Sequence, residues 1–96
     1  MIKNLIKNIK GLFGVYEPDH EYRVRLDRIH IKPDFARTTI SKAKFKRKRA
    51  FYYNNGYCES KIILNRNFEL VDGYSSYVLL KAYEGSEAKV PVWFVD

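Results

Sequence analysis

Asp72, Gly73, Tyr74, Ser75 and Ser76 place a carboxylate, a glycine and two hydroxyls where an apolar strand pattern, Phe68 to Val71, gives way to an apolar helical one. A turn of that kind aims successive backbone N–H groups at one point, and the start of the next helix adds partial positive charge there. The chemistry it suits is the holding of a phosphate. The same residues also suit an ordinary helix cap, with the Asp72 carboxylate accepting the amide of Tyr74 or Ser75.

A second group carries charge. Lys42, Lys44, Lys46, Arg47, Lys48 and Arg49 lie close together, interrupted only by Ala43 and Phe45. On a helix, Lys42, Lys46 and Arg49 share one face, and Lys44 and Lys48 share another. Like charges at these spacings oppose a free helix by about 0.2–0.5 kcal/mol per pair. A polyphosphate backbone relieves that repulsion and releases its condensed counterions in doing so. Tyr52, Tyr53 and Tyr57 follow, and aromatic rings beside a basic run can stack the bases of single strands. A solvated charged face with tyrosines packed inward accounts for the same residues. The helix offers no base-reading code, so any contact with DNA or RNA is expected to run through phosphates and to weaken steeply with salt.

Other chemistries find little support. His20 and His30 lack neighbouring ligands at metal-binding spacing, and no metal or cofactor is expected. Asp27 and Asp34 do not form a recognisable acidic pair. Ser75 and Ser76 have no evident base, and no nucleotide-type glycine loop is present. Cys58 is the single cysteine, so no internal disulfide forms; its neighbour Glu59 disfavours a thiolate, which marks it as structural. Nothing here demands an enzyme.

These groups must be positioned by one small domain, since 96 residues do not make two. A hydrophobic fraction of 46% argues for a folded core, and a net charge of +7 favours anionic partners. No apolar run reaches membrane-spanning length, and the N-terminus lacks a signal-peptide core, so a cytoplasmic protein is expected. Residues 1–16 read as an amphipathic helical arm with Ile2, Leu5, Ile6, Ile9, Leu12 and Phe13 on one face, and residues 17–96 as the domain. The arm has three candidate surfaces to cover: the domain, a partner or second copy engaged through residues 1–15, or an anionic membrane.

Tyr22, Val24 and Leu26 alternate with charged residues as a half-buried strand, which Ile29 and Ile31 continue after a slip at Arg28. Lys32-Pro33-Asp34 ends it. A helix capped by Thr38, Thr39 or Ser41 runs to about Tyr53, with Ile40, Ala43, Ala50 and Phe51 as its buried stripe, and Gly56 stops it. Ile62 to Leu64 and Phe68 to Val71 form a hairpin about Asn65-Arg66-Asn67. The helix after Asp72 turns Tyr77, Val78, Leu80, Ala82 and Tyr83 inward. Val90 to Val95 is a last strand, and Pro91 places it at an edge or marks a strand start.

This order, with Leu70-Val71-Asp72-Gly73-Tyr74, then Leu79-Leu80-Lys81-Ala82-Tyr83-Glu84-Gly85, then Val90-Pro91-Val92-Trp93-Phe94-Val95, resembles the ParB N-terminal/sulfiredoxin-like domain family over Arg23 to Asp96. The Arg25–Ile29 segment is similar to the family's opening strand. The resemblance implies an α+β fold with a small mixed sheet, and an association with DNA. It also shows departures. The family's arginine would fall near Ser76, and the turn carries no cysteine of the sulfiredoxin kind. The resemblance thus implies a catalytically silent, ParB-like nucleic-acid-binding accessory protein. Two alternatives stand beside it: a protein–protein interaction module using the arm, and a nucleotide-binding or phosphoryl-transfer enzyme using Asp72–Ser76.

Overall fold

A computed structural model describes residues 20–95. The arm expected over residues 1–16 lies outside them. Strand β1 (Tyr22–Arg25) is followed by a 3-10 turn (Leu26–Arg28), a single-turn helix α1 (Pro33–Ala36) and the long helix α2 (Lys42–Asn55). Strands β2 (Ile63–Leu64) and β3 (Leu70–Asp72) form the hairpin, helix α3 (Tyr74–Glu84) follows it, and β4 (Lys89–Phe94) closes the order. This is the expected α+β architecture with a four-stranded mixed sheet, ordered β1-β4-β2-β3.

The alternation of β1 breaks earlier than its pattern suggests. After Arg25 the 3-10 turn absorbs the slip at Arg28, and Leu26 and Ile29 both stay buried. His30 then bridges Glu69 as an isolated pairing rather than as a second length of strand.

The hairpin turn is built by Asn65. Its Oδ1 accepts the amides of Asn67 at 2.9 Å and Glu69 at 3.0 Å, and its Nδ2 donates to Glu69 Oε1 at 2.9 Å. An asparagine side chain copying a backbone turn in this way is the usual reason for its place in loops.

Pro91 does not put β4 at an edge: the strand is interior, antiparallel to β1 and parallel to β2. The register explains the tolerance. The Trp93 amide donates to the Ile62 carbonyl and the Val95 amide to the Leu64 carbonyl, so alternate amides of β4 face β2. A longer ladder would next use the amide of residue 91 with the carbonyl of Ser60. Proline lacks that amide, and the Ser60 carbonyl instead accepts the Ser76 hydroxyl at 2.6 Å. The proline marks the point where pairing with β2 begins.

The core joins Val24, Leu26, Ile29, Ile62, Leu64, Leu70, Leu80, Val90, Val92 and Phe94. Both helices present a different face to it than their apolar residues suggest. In α3 the buried residues are Ser75, Ser76, Leu79 and Leu80, while Ala82 and Tyr83 are exposed. In α2 the inward stripe is Phe45, Lys48 and Tyr52, with Phe51 beside it, whereas Ala43 and Ala50 face solvent. Ser41 caps α2 by accepting the Lys44 amide at 3.2 Å, and Gly56 ends it in the left-handed conformation at φ 78°.

Candidate phosphate-binding surfaces

The junction of β3 and α3 is a strand turning at once into a helix. Gly73 is the N-cap residue, at φ 90°, a region that L side chains rarely adopt. It is buried against the loop before β2. A Cβ there would overlap the Lys61 carbonyl oxygen and stand 2.9 Å from the Ile62 Cα. This close approach of two backbones sets the position and the phase of α3.

Asp72 does not cap the helix as expected. Its Oδ1 accepts the Gly73 amide at 2.9 Å, and the N-cap has no side-chain bond. Tyr74 is half-buried, with its ring 5.8 Å from Phe35 of α1 and 6.4 Å from Tyr77. Ser75 and Ser76 are buried, and the Ser76 hydroxyl is engaged with Ser60. The turn therefore keeps the backbone form that suits a phosphate, but its hydroxyls face protein.

The cations of α2 divide. Lys42, Lys44, Lys46, Arg47 and Arg49 are exposed. Arg47 stands 3.9 Å from Glu59, and the other four have no ion pair among the described residues. Lys48 is a correction to the picture of a uniformly basic outer surface: at 8% exposure it points inward, and its ammonium donates to Ser60 Oγ. Burying an ammonium is costly unless it finds a partner, and Ser60 is the partner the fold supplies. Sequence reasoning missed Ser60, which carried no signal beyond being a polar loop residue.

The tyrosines divide as well. Tyr53 is 86% exposed at the end of the Lys42–Lys46–Arg49 flank, while the Tyr52 hydroxyl donates to Glu84 Oε1 at 2.5 Å. That bond to a carboxylate, with burial, pushes the Tyr52 phenol up to about 12. A ring so held is a poor base-stacking platform; Tyr53 is the free one.

Lys48, Ser60, Ser76 and Cys58 meet behind this surface. Burial pushes the Cys58 thiol up, and the Ser76 side chain and the Lys48 charge pull it the other way. Cys58 is thus nearer the Asp-Gly turn than its place in the sequence suggests, and it stays a protonated packing group. Tyr52, Tyr57, Cys58, Ser60 and Trp93 line a groove of about 560 Å³, where the Lys61 ammonium sits 4.8 Å from the Trp93 ring centre. No group of three or more potential metal ligands occurs among the described residues.

The fold as a whole is similar to that of solved structures. A pNOB8-like ParB-N domain superposes with a TM-score of 0.59 at 19% identity, covering 80% of this chain and 30% of that one. A second structure of the pNOB8-like ParB N-domain gives 0.58 at 18%, covering 80% and 28%. The fold is that of a ParB N-domain. The chain spans about 30% of the neighbours' length. No family profile and no curated protein matches its sequence. Within the ParB-like frame, the position where the resemblance calls for an arginine holds Ser76, 2% exposed and hydrogen-bonded to the main chain. No helix among the described residues is long and apolar enough to cross a membrane.

Proposed function

We propose that this ParB-like protein binds nucleic acid through the phosphate backbone, using the exposed flank of α2, and performs no chemistry on it. One observation carries the reading. Lys42, Lys46 and Arg49 project from one flank that ends in the exposed Tyr53, and no carboxylate among the described residues pairs with the three cations. At 1.5 Å per residue the flank extends about 16 Å, enough to follow several phosphates of one strand. The Asp72–Ser76 turn, which carries a carboxylate and no cation and has its two serines buried, supports the absence of nucleotide chemistry.

Titrating a generic duplex and a single strand by fluorescence anisotropy over a range of salt tests this. Binding is strong at low salt and falls linearly on a log–log plot. The triple variant Lys42→Glu, Lys46→Glu, Arg49→Glu weakens it at least ~10-fold at low salt and flattens the slope by about 0.9 per lost duplex contact. Tyr53→Ala weakens single-strand binding by about 1–3 kcal/mol and spares the duplex. Absence of binding at low salt, or a triple variant that binds as the parent does, overturns the proposal.

A further inference from the structure

A second positive surface, which shares no residue with α2, forms where the 3-10 turn meets the hairpin. Arg28, His30, Arg66, Asn67 and Phe68 frame a shallow concavity that has no acidic residue in its lining. The two arginines and the histidine are exposed.

Their backbones are held firmly. The His30 amide donates to the Phe68 carbonyl at 2.8 Å, and the Leu70 amide donates to the His30 carbonyl at 2.9 Å. These bonds lock the segment carrying Arg28 and His30 onto the segment carrying Arg66. Arg66 itself sits within the turn stitched by Asn65, and Phe68 completes that turn in the left-handed region at φ 62°. A non-glycine residue held there, within a turn closed on both sides by hydrogen bonds, marks a backbone fixed by its surroundings.

The nearby carboxylates are already engaged. Asp27 takes a two-pronged contact from Arg25, Nε to Oδ1 at 3.0 Å and Nη2 to Oδ2 at 2.5 Å. Glu69 accepts from Asn65 and stands 4.0 Å from Lys32. Neither Arg28 nor Arg66 has an ion pair among the described residues. Arg28 also favours the charged form of Asp27 at longer range, but that carboxylate is bonded to Arg25. Two guanidinium forks beside an imidazole, on a fixed frame with no direct ion pair, suit a compact dianion: arginine matches phosphate oxygens two at a time, and histidine adds a further donor.

We infer that the Arg28–His30–Arg66 concavity is an anion site for a terminal phosphate, the dianionic monoester at a strand end or on a free nucleotide. The charge count favours this over a bridging diester, since two fixed cations are matched by one monoester and only half-matched by one diester. The site is separate from the α2 flank, which follows internal phosphates.

Two measurements on the full chain test the inference. In the first, inorganic phosphate and pyrophosphate are titrated while backbone amide NMR signals are followed. The signals of His30 and Arg66 shift saturably, and those of Lys42 to Arg49 shift less. In the second, oligonucleotides of one sequence with a 5′-phosphate or a 5′-hydroxyl are compared, with a nucleoside monophosphate as competitor. The 5′-phosphorylated strand binds at least about tenfold more tightly, as charge-assisted hydrogen bonds allow. The double variant Arg28→Ala, Arg66→Ala abolishes that difference while keeping the salt-dependent binding of both strands. Competition by the monophosphate identifies a free nucleotide as a ligand of the same site; preference without competition assigns the site to strand ends. Equal affinity for both strands together with no saturable shift at His30 and Arg66 overturns the inference. It does so without touching the α2 reading, which fails if neither strand binds or if the α2 triple variant binds as the parent does.

Discussion

Helices α2 and α3 share a small domain but use their residues in opposite ways. The first turn of α3 is uncharged, and its Gly73, Ser75 and Ser76 are buried against the loop before β2. The first turns of α2 are charged and exposed, and that helix packs Tyr52 against the core and buries Lys48 beside Ser60. In a phosphate-handling junction one expects positive charge and a helix start in the same place. Here they are separated: the junction serves packing and the charge is carried on another helix. The difference teaches that a strand–glycine–helix junction can be demanded by packing alone. Gly73 is required by a contact with Lys61 and Ile62 whether or not any anion visits.

If that division is right, changes at the α3 junction cost stability and leave nucleic-acid binding alone, and changes on the α2 flank do the reverse. The largest effect is expected from Gly73→Ala. A side chain at φ 90° that also overlaps the Lys61 carbonyl should destabilise the domain by ~3–5 kcal/mol in urea unfolding. A loss below about 1 kcal/mol would mean the junction is loosely packed and would collapse the contrast.

Next comes a pair on one helix. Lys48→Ala removes a buried stem and leaves Ser60 Oγ without its donor, a loss of about 2 kcal/mol, whereas Lys46→Ala stays within about 0.5 kcal/mol. Lys48→Met, which keeps the stem and drops the charge, should recover most of the loss. Equal effects at positions 46 and 48 would show that Lys48 is solvated like its neighbours.

Ser76→Ala is expected to cost about 1–2 kcal/mol, because the Ser60 carbonyl loses the hydroxyl that replaces a strand amide. The smallest effect is one of pH. The Tyr52 phenol is raised to about 12 in the folded state from an ordinary value of 10.0. Its stabilising contribution is thus fully present below about pH 10 and is lost as pH climbs through about 12, where the unfolded chain binds fewer protons than the folded one. Unfolding midpoints measured across that window should fall more for the parent than for Tyr52→Phe, and parallel curves would remove the Tyr52–Glu84 link between the two helices.

Much of the fold was legible in local chemistry. Asn65-Arg66-Asn67 announces a turn, Gly56 a helix stop, and Thr38, Thr39 or Ser41 a cap, of which Ser41 is the one used, because each acts on backbone within a few residues of itself. The helix faces were not legible. In α2 the inward position between Phe45 and Tyr52 is a lysine, which periodicity counts as outside. In α3 two serines lie inward, where hydropathy favours Tyr77 and Val78. Both exceptions depend on Ser60, whose hydroxyl and carbonyl serve Lys48 and Ser76, and a pairing across such a sequence distance leaves no periodic trace. Pro91 misleads for a similar reason: it forbids one hydrogen bond, and only the register reveals that β2 does not ask for it there. Of the site, the exposed cations and Tyr53 could be read from the chain, while the withdrawal of Lys48 and the engagement of Tyr52 could not.

The interior place of β4 also bears on how the chain is made. Tyr22 pairs with Val92, and β2 has β4 on one side and only its hairpin partner on the other. On the ribosome, then, β1 emerges early and waits for almost the whole domain to be synthesised before it finds a neighbour. During that wait the hairpin and helices can form locally, but the sheet stays in two halves. The residues from Lys89 to Phe94 act as a late keystone, and a nascent chain stalled before them should remain open to proteases along the Tyr22–Arg25 segment.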